Sequence, residues 1–366
     1  MTIGVLTSSR ADYSIYFPLL KALRADNRFT LEIIAFGTHL SELHGYTIKR
    51  IEEDGFSVKH SLQTLPENDT PEAITNSMGE TMSKFSSLWS NAEFDLVFCL
   101  GDRYEMFAAC ASSVPFNIKL AHIHGGEETT GAIDNIFRHA ITHMATYHFT
   151  AAEPYKQRVI ELKGSANNVY NVGSLSIDNL KALKLYSIEE FKTNFNIDLQ
   201  VPSILITFHP ETVSLDKNEF FISELLAALS EIEEYQFVFT MPNADAMGNM
   251  IRRNINEFAS RTPQAKVVES FGTVGYLSCM KHCLMMVGNT SSGFIEASFF
   301  PKFVINLGDR QKGRILTPNI YSCAIKRQEI IMAVKSYREI QSSSGNTLYG
   351  DGNAAIKIMN VLNGIQ

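Results

Sequence analysis

Residues 287–300 read VGNTSSGFIEASFF; an apolar run at 283–287 leads into them and an apolar helical pattern ends them. This order predicts a strand, a tight Gly-Asn turn and the N-terminus of a helix. Backbone N–H groups and the helix dipole favour an anion at such a terminus. Glu296 would repel a phosphate that it touched, so we expect it to hydrogen-bond a neutral neighbour of the phosphate, such as a ribose diol. A serine-capped helix with a solvated glutamate is the alternative for this segment alone.

Short apolar runs alternate with amphipathic stretches along the rest of the chain, which is typical of parallel, doubly wound α/β sheets. The runs predict strands at 3–7, 31–36, 96–100, 120–123, 147–150 and 169–172, and a second series at 204–208, 236–241, 266–268, 284–287 and 303–306. Helical patterns between them include 16–24, 78–89, 104–112, 135–146, 218–232 and 247–259.

A more polar stretch at 174–201 separates the two series of strands. We therefore expect an N-terminal domain at 1–176 and a C-terminal domain at 177–353, with a final helix at 354–366 that packs back on the first domain. The ligand of two such domains would lie in the cleft between the carboxyl ends of their strands.

Length, composition and charge exclude several classes of protein and of partner. A length of 366 residues suits two domains, and 45% hydrophobic with 19% charged residues is ordinary for a globular protein. A net charge of −7 without any Lys/Arg-rich run argues against nucleic acid and anionic membranes as partners. Five scattered cysteines without a CxxC pair favour reduced thiols in a cytoplasmic protein. The sequence has neither signal-peptide features nor 18 consecutive apolar residues, so we expect no membrane span.

Polar residues follow the first strands of the predicted N-terminal sheet. Arg10 and Ser14 come just after the strand at 3–7, and the guanidinium of Arg10 could donate two parallel hydrogen bonds to phosphate oxygens. A surface arginine in a loop is the alternative. Asp102 ends a strand that is apolar on both faces, so we expect it to have a function in a crevice. Arg103 could pair with Asp102 or contact a phosphate.

The densest polar cluster is AHIHGGEETTGAID at 121–134, directly after a predicted strand. Its histidines and carboxylates favour acid/base chemistry. A metal site built from His122, His124, Glu127 and Asp102 is an alternative, but His122 and His124 would converge only if the strand has already ended. His122 and His139 could instead be core residues with satisfied hydrogen bonds.

Polar groups also follow the strands of the second series. His209 ends one strand, Asn243 and Asp245 follow the next, and 269–272 could flank a flat base. Arg310 lies late in the chain among further charges. These positions are on the carboxyl side of the predicted sheet, where ligands bind.

Taken in order, the motifs are SSRADYS, GDRYE, HIHGGE with RHAIT, FHPET, PNAD, GNTSSG followed by Glu296, INLGDRQKGR and YGDGNA. Together they resemble the UDP-N-acetylglucosamine 2-epimerase family, specifically its hydrolysing branch that feeds the synthesis of sialic-acid-type sugars such as legionaminic acid. The resemblance covers nearly the whole chain. It implies two Rossmann-like domains of the kind found in GT-B glycosyltransferases, with the active site in the cleft between them.

The resemblance also assigns residues by motif. The implied catalytic residues are Asp102, His124, Glu127, Asp134 and Arg138. The implied UDP- and substrate-binding residues are Arg10, Ser14, Arg103, His209, Asn243, Phe271, Thr290, Ser291, Ser292, Gly293, Glu296 and Arg310. Relatives that read HIEGG have a catalytic glutamate in place of His124 and one residue fewer before Asp134. The identity of the general base among His124, Glu127 and Asp134 therefore stays open.

The implied reaction takes UDP-GlcNAc, or its 4-acetamido-6-deoxy analogue UDP-N,N′-diacetylbacillosamine, to UDP and a free ManNAc-type sugar. It requires neither NAD nor a metal, in agreement with the lack of a GxGxxG fingerprint. The family resemblance also implies a homodimer or homotetramer. The competing interpretations are a non-hydrolysing epimerase, a UDP-sugar glycosyltransferase, a dinuclear metallophosphoesterase and a UDP-sugar sensor without catalytic activity.

Overall fold

The computed structural model describes residues 1–66, 68–243, 245–300, 302–337 and 348–365. The chain forms two compact units. The first runs from Met1 to Glu127 and from Asp134 to Ala182 and includes the described C-terminal residues from 348 onward; the second comprises 128–133 and the described residues from Leu183 to 337. The chain thus passes between the units after Ala182, whereas the sequence places the boundary after residue 176. No helix in the described ranges is long and apolar enough to cross a membrane.

The first unit alternates strands and helices. In chain order its elements are β1 (Thr2–Thr7), α1 (Arg10–Ala25), β2 (Thr30–Phe36), α2 (Ile48–Glu53), β3 (Val58–Leu62), α3 (Pro71–Asn91), β4 (Leu96–Leu100), α4 (Tyr104–Ser113), β5 (Leu120–Ile123), α5 (Asp134–Met144), β6 (Tyr147–Thr150), α6 (Glu153–Lys163), β7 (Val169–Asn171) and α7 (Leu175–Ala182). All its strands pair in parallel, in the order β3-β2-β1-β4-β5-β6-β7.

The second unit repeats this plan. Its elements are α8 (Ile188–Phe195), β8 (Ser203–Thr207), α9 (Asn218–Leu229), β9 (Gln236–Thr240), α10 (Gly248–Arg261), β10 (Ala265–Val268), α11 (Gly272–His282), β11 (Met285–Gly288), α12 (Glu296–Phe299), β12 (Phe303–Leu307), β13 (Ile320–Cys323) and α13 (Arg327–Lys335). The six strands are parallel, in the order β10-β9-β8-β11-β12-β13.

The last helix, α14 (Ala354–Leu362), belongs to the first unit and packs against α1 and α7. The carboxylate of Asp178 in α7 accepts the N–H groups of Ala354 (2.9 Å) and Ala355 (2.8 Å). This contact caps α14 because the first N–H groups of a helix have no partner within it.

Each sheet is covered on both faces by helices, which explains its apolar strands. In β4, Phe98 faces a core layer formed with α1 and α14, whereas Cys99 faces a second layer formed with α3 and α4. The alternation follows from the two-residue period of a strand. The second sheet has two such layers of its own. The prediction of two Rossmann-like, doubly wound units is confirmed.

The sequence missed two strands and placed the starts of α1 and α3 too late, at residues 16 and 78 instead of 10 and 71. β3 and β13 are edge strands whose residues are half-buried or exposed, so they lack the apolar runs used to find strands. α1 begins at Arg10 because Ser9 and Asp12 form a capping box. Arg10 and Ser14 therefore lie in the helix and not in a loop before it.

Candidate active site

Both strand orders reverse direction at one point, between β1 and β4 in the first unit and between β8 and β11 in the second. Ligands of doubly wound sheets bind beyond the carboxyl ends of the strands at such a switch point. The loop after β1 leads to Arg10, and the loop after β4 contains Asp102 and Arg103. In the second unit the corresponding loops contain His209 and 289–293.

Asp102 and Arg138 form an ion pair in the first unit. Arg138, on α5, is 1% exposed. Its Nη1 also donates to the backbone oxygen of Glu127 (2.8 Å) and to Oδ1 of Asn135 (3.1 Å). The guanidinium therefore joins the end of β4 to the loop after β5. The carboxylate of Asp102 remains partly accessible to solvent, since its side chain is 24% exposed.

His124 and Glu127 form the second pair of this unit. Oε1 of Glu127 lies 2.7 Å from Nδ1 of His124, and both residues are buried. A neutral imidazole that donates from Nδ1 to the carboxylate has Nε2 as its acceptor, and Oγ of Ser174 lies 3.4 Å from Nε2. A histidine oriented in this way by a carboxylate can take up a proton.

The backbone makes this pairing possible. His124 has a φ of +66°, just after the end of β5, and its N–H donates to the oxygen of Phe149 (3.0 Å). Gly126 has a φ of +80°, and a Cβ there would lie 2.2 Å from the oxygen of Tyr155. Only glycine fits such a close approach, and the tight turn folds Glu127 back onto His124.

His122 has a structural environment. It is fully buried in β5, with Nε2 2.8 Å from the oxygen of Gly101 and Nδ1 3.2 Å from Oγ1 of Thr142. Burial lowers the pKa of His122 to about 4, so the ring is neutral. Of the alternatives for His122, the structure favours the core residue. In the described part of the chain no three His, Cys, Asp or Glu residues converge as metal ligands.

Arg103 pairs with Glu105 on α4, with its Nη2 3.1 Å from Oε1. Glu105 is fully buried, and this burial raises its pKa to about 6, although Arg103 opposes the shift. Arg10 and Ser14 are half-buried on the first turns of α1. Asp134 is the first residue of α5, at the point where the chain returns to the first unit after 128–133.

In the second unit a buried asparagine fixes His209. Oδ1 of Asn289 accepts the N–H of His209 (2.7 Å), and its Nδ2 donates to the oxygen of His209 (2.8 Å). Nδ1 of His209 in turn accepts the N–H of Asn243 (3.4 Å). The neutral ring then carries its proton on Nε2, where it is a donor suited to an anion.

The segment at 290–296 differs in part from the predicted turn and helix N-terminus. A 3₁₀ turn covers Ser291–Gly293, and Glu296 opens α12, which has only four residues. Such a short helix has little macrodipole, so an anion here would depend on individual N–H and hydroxyl groups. Oγ of Ser292 lies 3.2 Å from Oγ1 of Thr290 and 2.5 Å from the hydroxyl of Tyr276. The three hydroxyls therefore form one chain.

Arg310 lies in the loop after β12. Its Nη1 donates to the oxygen of Asn289 (3.4 Å), and its Nη2 lies 3.7 Å from the buried carboxylate of Asp245. Gln311 donates to the same oxygen of Asn289 (2.8 Å). Asn289 thus connects the loops that carry His209 and Arg310.

Phe271 is only 6% exposed. Its ring packs on Phe191 and Phe195, with ring centroids 5.2 and 4.9 Å apart. The ring therefore belongs to the core of the second unit, and a ligand would meet Phe271 mainly through its backbone.

The structure thus brings together Asp102, His124, Glu127 and Arg138 in the first unit, and His209, Asn243, Asn289 and Arg310 in the second. Asn289, Glu105 and Glu211 were not among the candidates. Each lies within a motif quoted above, but the sequence does not reveal that it would be buried. Their functional roles, like those of the other site residues, stay predictions.

The family model for UDP-N-acetylglucosamine 2-epimerase matches residues 21–363. A GDP/UDP-N,N′-diacetylbacillosamine 2-epimerase (hydrolyzing) from Campylobacter jejuni is 35% identical, over 88% of this chain and 84% of the relative. Polysialic acid biosynthesis protein P7 from Escherichia coli is 32% identical, over 98% of this chain and 92% of the relative. A solved UDP-GlcNAc 2-epimerase from Methanocaldococcus jannaschii, in complex with UDP-GlcNAc and UDP, shares the fold with a TM-score of 0.83 at 18% identity and 100% coverage of both chains. The chain therefore belongs to the UDP-N-acetylglucosamine 2-epimerase family.

Proposed function

We propose that the protein is a hydrolysing UDP-HexNAc 2-epimerase, which converts its nucleotide sugar and water to UDP and a free ManNAc-type sugar. The observation that carries this proposal is the His124–Glu127 pair beside the Asp102–Arg138 pair, at the carboxyl edge of a doubly wound sheet. The Campylobacter relative is named for a hydrolysing reaction, which supports hydrolysis here.

The C2 proton of the sugar is not next to a carbonyl and becomes labile only as the C1–O bond breaks. In the proposed first step a base takes the C2 proton, the C1–O bond breaks and UDP leaves with the bonding electrons. The product is a glycal. Water then adds its hydroxyl to C1. A proton reaches C2 on the face opposite to the one that lost the first proton, and this inverts C2. The reaction is redox-neutral and needs no NAD, and we propose that protein donors rather than a metal hold the departing pyrophosphate.

The side chains suit these steps. Asp102 and the His124–Glu127 pair supply groups that can take up and return protons near C2. His209, Arg310 and the hydroxyls at 290–292 supply donors for the pyrophosphate, whose negative charge grows as C1–O breaks. The carboxylate of Glu296 would accept hydrogen bonds from the ribose hydroxyls. Arg10, Ser14, Arg103 and Asn243 are proposed as further contacts of the nucleotide sugar.

The substrate we favour is UDP-N,N′-diacetylbacillosamine, since the Campylobacter relative is named for the GDP- or UDP-linked form of that sugar. UDP-GlcNAc, which the family name contains, is the second choice. Products of this type would enter the synthesis of sialic- and legionaminic-type acids for surface polysaccharides. We further propose that the protein acts as a homodimer or homotetramer.

The test is to incubate the protein with each nucleotide sugar in D₂O, with EDTA and without NAD, and to follow the reaction by NMR. Free UDP and a ManNAc-type product with deuterium at C2 are expected. A product that retains protium at C2 excludes elimination. Product that stays linked to UDP indicates a non-hydrolysing epimerase, and UDP release only with an acceptor indicates a glycosyltransferase. Activity lost in EDTA and restored by a divalent cation would show that a metal is needed.

A further inference from the structure

The loop that carries Arg310 is held by a buried carboxylate that the proposed mechanism does not use. Glu211 is 4% exposed, and its Oε1 accepts the N–H of Asp309 (2.7 Å) and the N–H of Arg310 (3.2 Å). Glu211 follows β8, whereas Arg310 follows β12, and β11 lies between these two strands in the sheet. One side chain thus joins two loops at the same edge of the sheet.

The position of this carboxylate is closely defined. The N–H of Glu211 donates to Oδ1 of Asn218 (2.8 Å), and Nδ2 of Asn218 donates to the oxygen of Glu211 (3.1 Å). Gly308 has a φ of +69°, and a Cβ there would lie 2.3 Å from Oε1 of Glu211. Glycine at 308 therefore lets the carboxylate reach the N–H groups that follow.

The other side of the Arg310 loop is held by the segment 128–133 of the same unit. The N–H of Thr130 donates to the oxygen of Lys312 (2.9 Å), and a Cβ on Gly131 would lie 2.2 Å from the oxygen of Asp309. With its backbone fixed on both sides, the loop directs the Arg310 guanidinium to the oxygen of Asn289, next to His209.

Burial raises the pKa of Glu211, while the N–H donors of Asp309 and Arg310 favour its ionised form. Placing a carboxylate in this environment costs free energy unless its hydrogen bonds are satisfied. The two N–H donors satisfy its Oε1 and order the loop at the same time.

We propose that Glu211 is a positioning residue, which orders the Arg310 loop so that the guanidinium can bind the pyrophosphate of UDP. The inference rests on the proposed function, since it takes Arg310 as a phosphate-binding residue.

The test is UDP affinity by calorimetry, with melting temperature measured in parallel, for the wild type, Arg310→Ala, Glu211→Ala, Glu211→Gln and the double variant Glu211→Ala/Arg310→Ala. Arg310→Ala should weaken UDP binding by about tenfold or more, the scale of a charged hydrogen bond. Glu211→Ala should weaken it by a similar factor, and Glu211→Gln, which keeps an acceptor oxygen, should restore most of the affinity. The double variant should bind no more weakly than Arg310→Ala alone, because Glu211 acts through Arg310.

The matched control is Asn319→Ala. Asn319 is a buried polar residue of the same unit that donates to the oxygen of Lys302 (2.8 Å), near the opposite end of β12. This variant should lower the melting temperature but leave UDP affinity unchanged. Glu211→Leu, which fills the volume without an acceptor, replaces Glu211→Ala if the latter does not fold.

Wild-type UDP affinity in Glu211→Ala, or losses that multiply in the double variant, would overturn the positioning role while leaving the proposed function intact. Wild-type affinity in Arg310→Ala would remove the premise and the inference with it. A wild-type protein that does not bind UDP would instead refute the proposed function.

Discussion

At the scale of single residues, the ion pair between Asp102 and Arg138 determines which substitution of Asp102 can test its proposed chemical role. Arg138 is 1% exposed, so removal of the Asp102 carboxylate would take an ion pair from a buried positive charge, which is costly. Asparagine at 102 keeps an oxygen as acceptor for the guanidinium, so the contact can stay in place, while the negative charge and the capacity to take up a proton are both lost. It therefore separates a chemical role of Asp102 from a structural one.

We predict that Asp102→Asn lowers turnover by about 10²-fold or more, the usual scale for loss of an acid/base group, and changes UDP affinity only a few-fold. Turnover by NMR and UDP binding by calorimetry check both parts. The melting temperature is the control for folding. Normal turnover would show that Asp102 only holds Arg138 in place.

A second residue-level prediction concerns the His124–Glu127 pair. His124→Gln should change the pH dependence of kcat, because an amide cannot take up and release a proton as an imidazole can. Glu127→Gln should lower kcat strongly, since the ring would lose the carboxylate 2.7 Å from Nδ1. A kcat–pH profile of His124→Gln that overlays the wild type would remove His124 from the mechanism.

At the scale of elements, the turn after β11 depends on glycine. Gly288 pairs with Thr207 of β8, has a φ of +148°, and a Cβ there would lie 2.0 Å from the oxygen of Thr207. The next residue, Asn289, hydrogen-bonds to His209, so the conformation of this turn also positions a residue of the predicted anion site.

Gly288→Ala should lower the free energy of unfolding by roughly 2 kcal/mol or more, because backbone strain of order 1–3 kcal/mol adds to the clash. Urea unfolding measures the change. The control is Gly79→Ala, in α3, where a Cβ meets nothing within 4 Å. That variant should be more stable by about 0.5–1 kcal/mol. A Gly288→Ala protein as stable as the wild type would show that the turn can relax.

At the scale of the whole molecule, the first unit contains buried histidines that are neutral when folded. Burial lowers the pKa to about 4 for His39 and His122 and to about 3 for His148. Their ordinary pKa is about 6.5, so the unfolded chain binds protons first as pH falls. These histidines therefore stabilise the fold above pH 6.5, and this contribution is lost progressively as pH falls toward 4.

Glu105 acts in the opposite direction, because burial raises its pKa to about 6 and the folded form binds a proton first. The net effect of three histidines and one glutamate is a loss of about 3 kcal/mol of unfolding free energy between pH 7.5 and 5.5. Urea unfolding at the two pH values checks this, and His148→Leu should reduce the loss by about 40%, since each histidine contributes roughly 1.3 kcal/mol. Equal stability at both pH values would contradict the prediction.

The local pattern of apolar residues was enough to predict the interior strands of both sheets. Strands such as β4 and β5 are covered on both faces, so they are buried throughout and, apart from His122, apolar, and their predicted bounds are those observed. Edge strands such as β3 and β13 are partly exposed and have no such pattern, so they were missed. The helix predicted after Gly293 is shorter than expected, since a 3₁₀ turn at Ser291–Gly293 is followed by an α12 of only four residues.

The sequence by itself determined the doubly wound units, the family and the residues at the strand ends, because burial and turn geometry constrain neighbouring positions. Only the tertiary structure decided which polar groups pair. The partners of Asp102, Asn289 and Glu211 lie 36, 80 and 98 residues away. Such contacts arise because parallel strands bring distant carboxyl ends to one edge of a sheet, and no local pattern specifies which of the side chains there will meet.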